Sequence, residues 1–142
     1  MLRGVSFNGI NLEQFLKCLY DVLCNSNYKW YIDDVELNYC FFREGIYTSM
    51  ELEEDLNELG TLSFARIRRY TIHASVENIE EYMDYVNSEC DVLILFYDGG
   101  IFDVYAKSEK VTHDIYDFCT KNNLSGTVYI DDATDCRHSM HF

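Results

Sequence analysis

The feature that most constrains this chain is the run Val92-Leu93-Ile94-Leu95-Phe96-Tyr97, followed at once by Asp98-Gly99-Gly100 and then by Ile101 to Ala106. Six apolar residues without alternation have the length of a strand and the character of one covered on both faces. The Asp-Gly-Gly turn supplies residues that accept the positive φ of a tight β-turn. A central hairpin is therefore expected, and the remaining elements must be arranged around it.

Upstream of it, Leu62 to His73 reads as a long strand carrying three arginines. Ser75 then caps a helix with Val76, Ile79, Tyr82, Met83 and Val86 on one face. Downstream, Ser108 caps a helix with Val111, Ile115, Phe118 and Cys119 inward, and Thr127 to Ile130 is a last strand. Over residues 61–132 the order is the βαββαβ pattern of ferredoxin-like folds.

The first 60 residues contribute a strand-helix-strand-helix extension. Leu2 to Phe7 is a strand ended by Asn8-Gly9, and Asn11 with Gln14 opens an amphipathic helix over 12–24. Tyr28 to Ile32 is a strand that Glu36 to Phe42 continues or pairs with. Thr48-x-x-Glu51 then opens an acidic helix ending at Gly60. No proline-, glycine- or serine-rich linker separates the two parts, so one domain over 1–142 is expected. Its class is α+β, a mostly antiparallel sheet with helices packed on one face.

Charge narrows the function. With 25 acidic against 11 basic residues the formal charge is −14. Nucleic-acid affinity rests on basic residues that displace counterions, so a phosphate-backbone binder is excluded. Anionic membrane surfaces are repelled for the same reason. A basic protein is attracted. Residues 1–10 hold no long apolar run, and no stretch approaches the roughly 18 apolar residues of a membrane helix. A cytoplasmic location is expected, with the six cysteines (Cys18, Cys24, Cys40, Cys90, Cys119, Cys136) reduced and mostly buried.

Four groups of residues can carry chemistry. Tyr-Ile-Asp-Asp occurs twice, at Tyr31–Asp34 and Tyr129–Asp132, each at a strand end. Paired carboxylates there can hold a hard cation, but aspartate is also a common turn former and neighbouring strand residues face opposite ways. Asp135, Cys136, His138 and His141 are metal-ligand types close together, without the two spaced pairs of familiar zinc modules. No metal or cofactor is expected.

Arg66 and Arg68 share a strand face with Phe64 and Tyr70, while Arg69 lies opposite. Arg66, Arg68 and Tyr70 form a candidate anion site, because guanidinium makes bidentate bonds to carboxylate or phosphate. Ion pairing with the acidic helices competes for those arginines. The fourth group is the acidic helix itself. Glu51, Glu54, Asp55 and Glu58 form a charged face able to occupy a basic surface, although such faces are often only solvated. No Gly-x-Ser-x-Gly elbow, Walker loop, dinucleotide glycine pattern or His-Glu-x-x-His is present, which leans away from an enzyme.

Three segments carry a family likeness: Arg3-Gly4-Val5-Ser6-Phe7, Tyr28-Lys29-Trp30-Tyr31-Ile32, and Cys90-Asp91-Val92-Leu93-Ile94-Leu95-Phe96 with the hairpin after it. Together they resemble a family of small bacterial proteins known as a domain of unknown function. The resemblance implies a compact cytoplasmic bacterial protein and brings no activity or site residues. The favoured function is a non-catalytic interaction protein of inhibitor or immunity type, binding a basic partner through its acidic helices. The alternative is a small-anion-binding regulatory domain, or an enzyme, that uses the Arg66/Arg68 face.

Overall fold

A computed structural model describes residues 1–38, 44–56, 61–97, 100–135, 137 and 139–141. Seven strands form one antiparallel sheet: β1 (Leu2–Asn8), β2 (Tyr28–Asn38), β3 (Gly45–Thr48), β4 (Thr61–Thr71), β5 (Val92–Tyr97), β6 (Ile101–Ala106) and β7 (Ser125–Asp131), in the order β3-β2-β4-β5-β6-β1-β7. The helices are α1 (Leu12–Cys18), α2 (Tyr20–Leu23), α3 (Ser49–Leu56), α4 (Tyr82–Asn87) and α5 (Glu109–Lys121). The α+β class, the antiparallel sheet and the strand-helix-strand-strand-helix-strand order over 61–132 are as read from the sequence.

The pairing departs from a ferredoxin-like arrangement. β4, α4 and β5 are consecutive, but β4 pairs directly with β5 in antiparallel register, Ile67 opposite Ile94. The split crossover lies at the other end, where β6 and β7 flank β1 and α5 crosses over it. The inserted strand thus comes from the N-terminus and not from within 61–132. Gly4 of β1 permits this close approach. A Cβ there would lie 1.8 Å from the carbonyl oxygen of Val104.

One face of the sheet carries the larger core. Val5, Phe7, Trp30, Ile32, Ala65, Ile67, Val92, Ile94, Phe102 and Val104 point to it and meet α1, α2, α3 and α5. Phe7 stacks on Phe102 at 4.8 Å, and Phe15 tilts against both. Fully burying each such side chain stabilises the fold by roughly 1.5–3 kcal/mol. The expected helix over 12–24 is two helices, with Leu19 (φ −107°, ψ 20°) at the joint. Cys18 is exposed, whereas Cys24, Cys90 and Cys119 are buried.

Helices do not occupy one face alone. Tyr85 of α4 joins Tyr70, Ile79, Leu93, Leu95, Tyr105 and Met140 in a second core on the opposite face. The helix expected from Ser75 begins only at Tyr82, capped by Glu81, whose side chain forms a reciprocal capping box with Asp84. The carbonyls of residues 77 and 79, just ahead of it, accept hydrogen bonds from Arg68 and Arg66, which tie that segment to β4. No helix among the described residues is long and apolar enough to cross a membrane.

Candidate functional site

The arginine face is internal. Asp33 of β2 stands directly opposite Arg66 of β4. Its carboxylate accepts from Arg66 Nε at 2.7 Å and Nη2 at 2.5 Å, and from Arg68 Nη2 at 3.3 Å. The remaining Arg66 donor, Nη1, reaches the carbonyls of Ile79 and Met140. Arg68 Nη1 donates to the Glu77 carbonyl at 2.6 Å and the Tyr70 hydroxyl at 3.1 Å, and its guanidinium lies over the Tyr31 ring. Arg66 and Arg68 are 5% and 3% exposed and Tyr70 is fully buried.

Burial pulls the Arg66 pKa down, but the bonds to Asp33 and its charge outweigh that, holding it above the ordinary arginine value. Tyr70 is raised, chiefly by burial. The two guanidiniums and Tyr70 do come together, as alternation along β4 requires. They are clamped, however, by an aspartate of the neighbouring strand and by three carbonyls of segments folded over them. Both guanidiniums are buried, and of their nitrogens Arg68 Nε alone has no hydrogen-bond partner among the described residues. Their partner is not an acidic helix, as the sequence suggested, because Asp33 lies in cross-strand register with them.

Arg69 points to the other face. It forms a bidentate pair with Asp91, both bonds 2.9 Å, donates to the Val22 and Leu23 carbonyls, and lies 3.8 Å above the Tyr28 ring. Those carbonyls end α2, where a cation is favoured.

The two Asp-Asp pairs do not converge. β2 and β7 are five strand steps apart, roughly 24 Å at sheet spacing. Asp131 instead closes a turn, accepting from the amides of Ala133 and Thr134 and the Thr134 hydroxyl. Asp132 pairs with Arg3 at 2.7 Å. Asp34 adopts φ 50° beside the irregularity in β2, and its Oδ2 is buried without a partner among the described residues. No cluster of three metal-ligating side chains occurs among the described residues. Cys136 and His138 lie outside them. Two clefts, about 220 Å³ and 360 Å³, share Asp135 and Arg137. There Asp135 is paired with Arg3 and Arg137 with Asp103.

The acidic helix α3 has the opposite character. Thr48 Oγ1 accepts from the Glu51 amide, as the capping pattern implies. Leu52 is buried against the main core, while Glu51, Glu53 and Glu54 are exposed and Asp55 is half-buried. Glu58 lies outside the described residues. α3 directly follows β3, the first strand of the sheet order, so its charges stand at a sheet margin. Beside it opens a cleft of about 560 Å³, whose lining includes Tyr20, Tyr28, Ile46, Met50 and Ile72.

The family model described as Protein of unknown function (DUF2691) matches residues 2–141. The chain belongs to the DUF2691 family. It is 23% identical over 154 aligned residues to Uncharacterized protein YncE of Bacillus subtilis (strain 168), with 99% of both chains covered. No solved structure matches it. In this DUF2691 protein, sequence reasoning missed Asp33 as the pivot of the arginine cluster and missed the cleft entirely. Asp33 was visible only as half of a repeated dipeptide. Ile46 and Met50 lie in different elements and Ile72 is far from both along the chain, so the three do not register as a patch.

Proposed function

We propose that this DUF2691 protein is a non-catalytic interaction protein that engages a basic partner through the acidic face of α3, as an inhibitor or immunity protein does. The observation that carries this reading is the contrast between its two charged clusters. The arginines of β4 are buried and ion-paired internally, whereas among the described residues no basic side chain pairs with Glu51, Glu54 or Asp55. A field of −14 concentrated in part on one helix steers a cationic surface toward it.

The test is capture from a native bacterial lysate by the intact protein and by the combined variant Glu51→Gln, Glu54→Gln, Asp55→Asn, Glu58→Gln. A stoichiometric basic protein should be retained at about 0.1 M salt and released toward about 1 M, as the screening length falls from ~10 Å to ~3 Å. The neutralised variant should not retain it. Capture that is unchanged by salt and by the substitutions would overturn the reading.

A further inference from the structure

We propose that β7 is a docking edge for a second copy of this chain, and that two copies join by antiparallel β7–β7 pairing about a two-fold axis. The inference is independent of the interaction reading above. Its first support is the place of β7 in the sheet. β7 is the last strand of the order, paired with β1 on one side, and no described strand pairs with its other side. Alternate backbone amides and carbonyls therefore face outward, and such a row is a template for a further strand. Sheet edges are commonly blunted by lysine, by proline or by shortness. Residues 127–131 include no lysine, arginine or proline, and Val128 among them is 55% exposed. The opposite edge, β3, spans only Gly45–Thr48.

The second support is that the strand is complementary to itself. Gly126 lies at φ 63° and the register with β1 shifts beside it, so the regular stretch is 127–131, centred on Tyr129. Antiparallel pairing about Tyr129 sets Val128 opposite Ile130 of the other copy, and Thr127 opposite its Asp131. The two-fold axis repeats both pairs. Alternation puts Val128 and Ile130 on one face and Thr127, Tyr129 and Asp131 on the other, so every pair meets on its own face. Apolar and aromatic cross-strand pairs are favourable, and no like charges stand opposite one another. The Tyr129 ring is already held in place. It stacks on Tyr116 at 4.1 Å, and its hydroxyl hydrogen-bonds with His113 Nδ1 at 2.8 Å. Little freedom is lost when such a ring is covered.

The third support is charge, which selects both the edge and the direction of pairing. Each copy carries −14, so two copies associate only where charge is sparse. Asp131 is the one charged residue of β7. In the antiparallel pairing the two Asp131 carboxylates stand at opposite ends, four residues or about 14 Å apart along the strand. That exceeds the screening length of about 8 Å at physiological ionic strength. A parallel pairing would set them side by side. The β3 edge instead runs directly into α3 with Glu51, Glu53 and Glu54, which repel a second copy. Near β7, Asp117 of α5 is close to Tyr129 and leaves a residual repulsion that added salt relieves. Because α3 follows the strand at the far margin of the sheet, the paired molecule keeps both acidic helices free.

The experiment follows the mass of the full chain by analytical ultracentrifugation from about 1 μM to about 1 mM, the range in which modest interfaces form. The mass should rise from one chain toward two and no further, because the two-fold pairing uses up each β7 edge. Raising the salt from about 0.1 M to about 0.5 M should shift that rise to lower concentration, the reverse of its effect on a basic partner. Val128→Asp should weaken association at least about tenfold, since symmetry counts the lost apolar pair and the added charge twice. Ile46→Asp, at an exposed position on β3, should leave it unchanged. Melting followed by circular dichroism checks that both variants fold. In the unaltered chain, hydrogen exchange at alternate β7 amides should slow as the concentration rises. A chain that stays single at the highest concentration, or a mass beyond two chains, would overturn the proposal. So would association that Ile46→Asp removes and Val128→Asp spares, or β7 amides left unprotected once the mass has doubled. None of these results bears on the acidic face of α3.

Discussion

Replacing Asp33 by alanine tests the central electrostatic feature of the fold. The carboxylate is shared by two guanidiniums, Arg66 through bonds of 2.7 and 2.5 Å and Arg68 through one of 3.3 Å. The arginine side chains are 6% and 3% exposed and the Asp33 side chain 16%. Removing one partner of a buried ion pair typically costs about 3–5 kcal/mol, because the other charge stays buried and uncompensated. Partial exposure of Asp33 admits some water, which places the expected loss in the lower part of that range, about 3–4 kcal/mol. For a chain of this size that corresponds to a Tm lower by roughly 6–16 °C. Urea unfolding should show the midpoint falling by about 1–2 M with an unchanged slope. Asp114→Ala is the control. Its partner Lys110 is almost fully exposed, and breaking such a pair should cost less than about 1 kcal/mol. If Asp33→Ala behaved like the control, the two guanidiniums would have to reach water. Arg66 and Arg68 would then regain standing as an anion site.

Other consequences follow from single positions. Gly4→Ala places a Cβ against the Val104 carbonyl, so β1 must separate from β6. A loss above about 4 kcal/mol is expected in the same urea assay, and unaltered stability would refute the β1–β6 register. Alkylation at neutral pH, mapped by mass spectrometry, should label Cys18 and spare Cys24, Cys90 and Cys119 until denaturant is added. Burial raises each of those three thiols to about 12. The same shift makes stability pH-dependent. With folded values above the ordinary thiol range of about 8.5, the contribution is complete below that range and is lost as pH rises from there toward about 12. On the acid side, Asp84 is lowered by the Glu81 and Glu80 amides, Asp131 by Thr134, and Asp132 by Arg3. Their contribution is present above about pH 4 and is lost as pH falls through their lower folded values. Melting followed by circular dichroism across pH should decline at both ends, and a flat profile would contradict these environments.

Much of this protein can be read from local chemistry. The unbroken apolar run Val92–Tyr97 identifies a central strand, and Asn11 and Ser108 start α1 and α5 where their side chains accept the Gln14 and Val111 amides. Period-two alternation already places Arg66, Arg68 and Tyr70 on one side of β4 and Arg69 on the other. These features depend on residues within a few positions of one another, so one-dimensional order is enough to find them. What the arginines meet depends on strand register. Asp33 lies opposite Arg66 only because β2 pairs with β4, and that pairing turns a candidate anion face into a closed ion cluster. The same cluster binds the carbonyls of Glu77 and Ile79, in a segment of helical periodicity that stays irregular until Glu81. β1 enters between β6 and β7 through contacts on the order of a hundred residues apart in sequence, and no local pattern encodes that choice. The cleft formed by Ile46, Met50 and Ile72 is of the same kind. Its residues acquire a common surface only when the margin of the sheet, α3 and the end of β4 are brought together in space.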